Sequence, residues 1–160
     1  MFSALTKANL YLNYFGFMKV PLIWYCRPKL LTLDDNSVIV RIPLKRRNRN
    51  HLNSMYFGVL AVGADVAGGF LAMYKAQQRK VTVSLAFKEV EAKFLKRPEA
   101  DVCFRCDDGP LIDAMLDETL ATGQRVNQAV KITATCPSLH GDEAMAEFWL
   151  TLSLKAVKSG

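Results

Sequence analysis

Residues 55–73, MYFGVLAVGADVAGGFLAM, decide the fold of this chain. The stretch is almost wholly apolar or small, and each of its four glycines lowers helix propensity by about 1 kcal/mol relative to alanine. A helix that is apolar on all sides is stable only when it is buried, and glycines let neighbouring backbone approach closely. We therefore predict a helix from a capping residue, Asn53 or Ser54, to about Ala76, enclosed by a sheet.

The segments on either side of this helix have helical or strand periodicity. The predicted helices are 3–18 and 110–122, and the predicted strands are 30–33, 37–43, 81–95, 101–106, 125–136 and 143–157. This order indicates one α+β domain, 1–160, in which a mainly antiparallel sheet wraps the long helix. An N-terminal helical extension (1–28) precedes the core (29–157), and the helix 110–122 is inserted in that core. We expect the strand 143–157 to be an edge strand that needs covering.

The composition narrows the class of protein. Hydrophobic residues make up 51% of the chain and charged residues 22%, which excludes a disordered protein. The net charge of +6 favours an anionic partner, which would be nucleic acid, an acidic membrane surface or a phosphate-bearing small molecule. Four cysteines without a secretory signal indicate reduced thiols in a cytoplasmic protein.

The apolar stretch 10–26 is too short and too interrupted to cross a membrane. Asn13, Lys19 and Pro21 divide it, and a span needs about 20 consecutive apolar residues. We expect no membrane span. Two roles are left for the stretch 10–26: peripheral contact with a membrane, or packing on the protein itself.

Asp65 is the one charged residue in the middle of the apolar run. Burying a carboxylate is costly unless the group is paired, protonated or placed in a cleft. Asp65 is therefore either a functional group or a carboxylate that faces a solvated gap or bonds neighbouring backbone.

The stretch 50–65, NHLNSMYFGVLAVGAD, resembles the active-site segment of hot-dog-fold thioesterases of the phenylacetyl-CoA thioesterase type. That family has an Asn, then a His-Gly-Gly triplet that opens the central helix, then an Asp two turns further on. Asn50 and Asp65 match the Asn and the Asp, and residues 56–58 stand where the triplet would be, with Gly58 retained. The chain looks closest to one branch of these thioesterases, the DUF4442-like proteins.

The resemblance implies a hot-dog fold and an enzyme that hydrolyses acyl-CoA or acyl-carrier thioesters. Asp65 would be the general base or the nucleophile, and the backbone amides of Phe57 and Gly58 would form the oxyanion hole. Asn50 would hold the water or the carbonyl, and Ser84 on the following strand would assist. No cofactor is implied, since coenzyme A is part of the substrate.

The resemblance also implies a homo-oligomer, a homodimer or a homotetramer, with Asn and Asp of each active site on different chains. Two other functions remain open. One is a non-catalytic hot-dog protein that binds acyl ligands, and the other is a hot-dog hydratase or dehydratase. Those hydratases use a His together with the acid, and no His stands at the matching position.

A basic loop directly precedes the matched segment and contains Lys45, Arg46, Arg47 and Arg49. Arg and Lys bind phosphate, so these residues would suit the phosphates of coenzyme A. Solvated surface charge is the alternative interpretation. The loop has no interleaved aromatic residues and fits no known reader motif, so we expect no nucleic-acid partner.

Other residues with the potential for chemistry are assigned structural roles. Cys103 and Cys106 lack the further ligands of a zinc site and would point to opposite faces of a strand, so no metal is expected. His51 and His140 are isolated. The apolar N-terminal segment would form an acyl channel, an interface or simple packing, and we lean towards medium or long acyl chains. Its large side chains are Phe15, Phe17, Ile23, Trp24 and Tyr25.

Overall fold

A 22-residue helix, α3, lies against one face of a six-stranded antiparallel sheet in the computed structural model, which describes residues 1–157. The strands are β1 (Lys29–Leu33), β2 (Val38–Ile42), β3 (Val83–Phe94), β4 (Val102–Cys106), β5 (Val126–Thr135) and β6 (Ala144–Ala156). The helices are α1 (Ala4–Lys19), α2 (Pro21–Cys26), α3 (Phe57–Gln78), α4 (Gly109–Thr122) and α5 (Pro137–His140). The strand order is β1-β2-β4-β5-β6-β3. These elements confirm the α+β prediction and the enclosed central helix.

The glycines of α3 bring the helix close to the sheet. A Cβ atom at Gly63 would lie 2.2 Å from Cζ of Phe104, so only glycine fits there. Leu60, Ala64 and Leu71 are buried in the same interface. The lost helix propensity is thus compensated by close packing. The length of α3 and its mean hydropathy of 1.6 would also suit a membrane span. In this fold, however, α3 is the core helix and is buried against the sheet.

Apolar side chains at alternate positions along the strands explain why the face of the sheet towards α3 is buried. Val38, Val40 and Ile42 of β2 are buried. In the antiparallel register Val40 lies opposite Phe104 of β4, so both side chains pack on α3.

The N-terminal extension is attached to the core through Asn9. Its amide nitrogen donates to the Leu30 carbonyl at 3.0 Å, and its oxygen accepts from the Leu30 amide at 2.8 Å. Pro21 follows the end of α1 and begins a second helix, α2. Proline is favoured in the first turn of a helix, where its missing N–H has no intrahelical acceptor.

The prediction of an edge strand at 143–157 was wrong. In the described sheet β6 lies between β5 and β3, and the edges are β1 and β3. On the β1 edge, Asn9 of α1 bonds the backbone of Leu30, so β3 is the more exposed of the two edges. Its Phe87, Val90 and Phe94 side chains are all exposed although they share the face that points towards α3.

Candidate active site

Asn50 organises the turn that leads into α3. Its side-chain oxygen accepts from the Leu52 amide at 2.9 Å and from both the amide and the hydroxyl of Ser54 at 3.1 Å. These contacts fix the side-chain plane and leave the Asn50 NH₂ group as an oriented donor. They also correct the predicted helix start, because Ser54 bonds back to Asn50 and Asn53 adopts a φ of 61°.

The first turn of α3 presents backbone donors. The helix begins at Phe57 after extended Tyr56, and no side chain caps it. The first N–H groups of a helix have no intrahelical acceptors and lie at the positive end of its dipole. Gly58 lies beside the Tyr56 ring, and a Cβ atom there would lie 2.6 Å from Cε1, so a larger residue would require the ring to move. This end of α3 can therefore stabilise developing negative charge.

Aromatic side chains surround these amides. The Phe57 ring is 59% exposed and lies 4.9 Å from the Tyr56 ring and 6.3 Å from the Phe94 ring of β3, measured between centroids. Phe94 contacts Phe148 in the core. The start of α3 and the exposed edge strand thus form one apolar surface.

Asp65 lies two turns further along α3, half-buried at the wall of a cavity of about 230 Å³. It makes no hydrogen bond or ion pair with another described residue, and burial raises the pKa of its carboxyl above the usual range. Among the described residues that line the cavity, Asp65 is the only carboxylate. The other walls are mostly apolar and include Tyr11, Phe15, Ile23, Phe70, Met73 and Leu85.

The sequence analysis identified this cavity only in part. Phe15 and Ile23 line it, as the acyl-channel interpretation required, but Phe17 packs on Trp24 with ring centroids 5.5 Å apart. Tyr11 was missed. Its ring lies 6.1 Å from that of Phe70, a contact between α1 and α3 that no local sequence pattern encodes.

Asp65 and the helix-start amides are far apart within one chain. Eight residues separate Phe57 from Asp65, which at the α-helical rise corresponds to about 12 Å. Within one chain, Asp65 therefore does not lie beside the helix-start amides.

Ser84 is not brought to Asp65. Its hydroxyl accepts from the Arg125 guanidinium at 3.1 Å. Leu85 and Phe87 of the same strand line the cavity, and successive strand side chains point to opposite faces, so Ser84 lies on the outer face of the sheet. The geometry of the described chain gives no support to its assignment as a catalytic residue.

The basic loop folds as a short 3₁₀ turn, Arg46–Asn48, next to the N-terminal helices. Asn48 is buried, and its side chain bonds the Lys45 amide and the Pro43 carbonyl. Arg47 lies 5.4 Å from the Tyr25 ring centroid, while Lys45, Arg46 and Arg49 are exposed. None of these four side chains forms an ion pair with a described carboxylate.

The cysteines and histidines occupy ordinary structural positions. All four cysteines are free. On β4, Cys106 faces the core and Cys103 the other side. His140 lies 3.8 Å from Glu143, and His51 is on an exposed loop. Within residues 1–157 no group of three or more His, Cys, Asp and Glu side chains is placed to hold a metal ion.

The fold is shared with several solved structures, some of which are named thioesterases. A protein of unknown function from Chlorobaculum tepidum matches with a TM-score of 0.82 at 14% identity, over 94% of this chain and 96% of that one. A protein of unknown function from Pseudomonas aeruginosa, named a probable thioesterase, matches with a TM-score of 0.77 at 20% identity, over 98% and 99%. A Haemophilus influenzae thioesterase matches with a TM-score of 0.67 at 10% identity, over 99% and 95%. The chain therefore shares the hot-dog fold of these structures.

The family follows from the sequence itself. Residues 10–143 match the domain of unknown function DUF4442, so the chain belongs to that family. A comparison with curated proteins finds no match.

Proposed function

We propose that this protein is a thioester hydrolase acting on acyl-CoA or acyl-carrier thioesters. The observation that carries the proposal is Asp65, an unpaired carboxylate at the wall of an apolar cavity. The thioesterase names of structural neighbours support the same reaction class. An apolar cavity with one polar group is suited to an acyl chain whose reacting end must meet a base.

Two hydrolytic routes use the same residues. In one, Asp65 takes a proton from water, the hydroxide adds to the thioester carbonyl, and the C–S bond breaks as the thiolate leaves and takes up a proton. In the other, the Asp65 carboxylate adds to the carbonyl and expels the thiolate, and water then hydrolyses the mixed anhydride. Both routes develop negative charge on the carbonyl oxygen.

The amides of Phe57 and Gly58 are suited to bind that oxygen. Backbone donors at a helix start are fixed before the reaction and require no reorganisation. The NH₂ group of Asn50, held in place by Ser54, would orient the same carbonyl.

We propose that each active site combines two chains of a homodimer or homotetramer. The separation of about 12 Å between Asp65 and Phe57 within one helix supports this arrangement. The exposed edge β3, with Phe87, Val90 and Phe94 uncovered, offers the surface along which two chains would join.

In this proposal the acyl chain occupies the Asp65 cavity and the nucleotide phosphates of coenzyme A bind the basic loop. Arg46 and Arg49 are exposed and carry no ion-pair partner in the described chain, so they are available to phosphate. The phosphates belong to the substrate, and no separate cofactor is proposed. A cytoplasmic setting is proposed because it would keep the four free thiols reduced.

The first experiment measures thiol release from acyl-CoAs ranging from acetyl to palmitoyl, with acyl-pantetheine as the carrier-free substrate. We expect hydrolysis with an optimum at medium or long chains. An acyl-binding protein without catalytic activity would instead bind the substrates and release no thiol from any of them.

A second experiment tests the two-chain site. Asp65→Asn removes the carboxylate, and Asn50→Asp keeps the oxygen that accepts from Ser54 while removing the NH₂ donor. Each variant alone should be nearly inactive. Co-expressed in equal amounts, they should recover about a quarter of wild-type activity, because random pairing restores one site in half of the dimers. No recovery in verified mixed oligomers would mean that the site lies within one chain.

A further inference from the structure

The N-terminal helices expose an apolar face that nothing in the described chain covers. Leu10, Tyr14, Phe17 and Met18 recur at helical spacing along α1, and each is between 55% and 60% exposed. The opposite face of α1 packs inward through Leu12 and Gly16. On α2, Leu22 is also 60% exposed. Contiguous exposed apolar surface of this kind marks an interaction site.

Positive charge is concentrated in the same part of the chain. Residues 1–64 contain nine Lys or Arg against two Asp, whereas residues 65–160 contain twelve Lys or Arg against thirteen Asp or Glu. Residues 1–64 thus carry more than the whole net charge of +6. Residues 1–33 contain no acidic side chain.

Basic side chains border the apolar face directly. Lys7 and Lys19 lie on α1, and the Arg27 guanidinium sits 4.1 Å from the Trp24 ring centroid at the end of α2. Aromatic and aliphatic side chains bordered by Lys and Arg are typical of helices that lie in the interface of an anionic bilayer. Two copies of this surface placed face to face would bring like charges together, which disfavours a second chain as the occupant.

We propose that α1 and α2 dock peripherally on a bilayer that contains anionic lipid. Leu10, Phe17 and Leu22 enter the boundary between headgroups and acyl chains, and Lys7, Lys19 and Arg27 bind lipid phosphates. The inner faces of the same helices supply Phe15 and Ile23 to the Asp65 cavity. Where the thioesterase proposal also holds, docking would place the acyl cavity next to the membrane.

The test is flotation with vesicles of phosphatidylcholine alone and of phosphatidylcholine mixed with phosphatidylglycerol. We expect binding to the mixed vesicles only, weakened by added salt. The double variant Lys7→Gln with Lys19→Gln should weaken vesicle binding on the order of twentyfold, because each lost charge should weaken it about fivefold. Phe17→Ser with Leu22→Ser should abolish it. Matched controls far from the face, Lys155→Gln and Leu139→Ser, should bind as the wild type does.

Three results would overturn the proposal. They are absence of binding to mixed vesicles, unchanged binding by the α1 and α2 variants, and a loss of oligomer mass in those variants without lipid, which would make the face an interface between copies. Thermal unfolding of each variant identifies any that fail to fold. The proposal stands apart from hydrolysis, because Asp65→Asn should bind vesicles like the wild type whether or not the protein is a thioesterase.

Discussion

Asp65 and Lys75 are two charged residues on the same central helix, and their surroundings differ. Lys75 is 3% exposed, and its ammonium group lies 2.8 Å from the Asp113 carboxylate and 2.5 Å from the Asp35 carbonyl. Asp65 is more exposed but has no partner within residues 1–157. A buried charge with an ion-pair and a hydrogen-bond partner stabilises the fold, whereas a half-buried charge without partners is available to a ligand.

The largest expected change in stability is at Lys75. Lys75→Met keeps most of the packed stem but leaves the Asp35 carbonyl without its donor and Asp113 paired only with Arg79. We expect the free energy of unfolding to fall by about 2 kcal/mol, measured by urea denaturation. Asp65→Asn should not lower it. Equal losses in the two variants would contradict the contrast between a structural and a functional charge.

The sequence alone predicts the Asp65 part of this contrast but not the Lys75 part. The run 55–73 is apolar enough to predict an enclosed helix, and Asp65 stands out within it. Lys75 does not, because its partner Asp113 is 38 residues away on α4 and the pairing exists only in the tertiary structure. Local composition reveals an isolated charge but not the partner that satisfies it.

The wrong prediction of an edge strand has the same origin. The strand 143–157 was expected at an edge, but its place depends on strand order, just as the surroundings of Ser84 depend on which face of β3 meets α3. Periodicity predicts that a strand exists, and not which strands lie beside it. The wall of the cavity that α1 contributes depends on a long-range contact between Tyr11 and Phe70 in the same way.

A smaller effect is expected at the basic loop beside the open end of α3. Arg46→Ala with Arg49→Ala should raise KM for acyl-CoA about fivefold and leave kcat nearly unchanged, because phosphate binding is remote from the carbonyl. Hydrolysis of acyl-pantetheine, which lacks the nucleotide phosphates, should not change. Unaltered KM together with salt-sensitive RNA or DNA binding by the wild type would instead assign the loop to nucleic acid.

The smallest effect concerns pH. Because burial raises the folded-state pKa of Asp65, the folded protein holds this proton more tightly than the unfolded chain does. The contribution of Asp65 to wild-type stability, measured as the difference from Asp65→Asn, should therefore fall as pH rises from about 4, the usual Asp range, through the raised pKa. Asp65→Asn should lack this decline, whereas the exposed-turn control Asp142→Asn should retain it. Parallel stability curves for wild type and Asp65→Asn would show that the carboxyl is not desolvated.

The most direct test of the catalytic proposal is the rate of thioester hydrolysis by Asp65→Asn, measured as thiol release on the best acyl-CoA substrate. The variant preserves side-chain volume and removes the carboxylate, so kcat should fall at least about 100-fold while the oligomer is retained and the unfolding midpoint is not lowered. Asp142→Asn serves as the matched control and should keep full activity. Hydrolysis by Asp65→Asn at close to the wild-type rate would contradict the assignment of Asp65 as base or nucleophile.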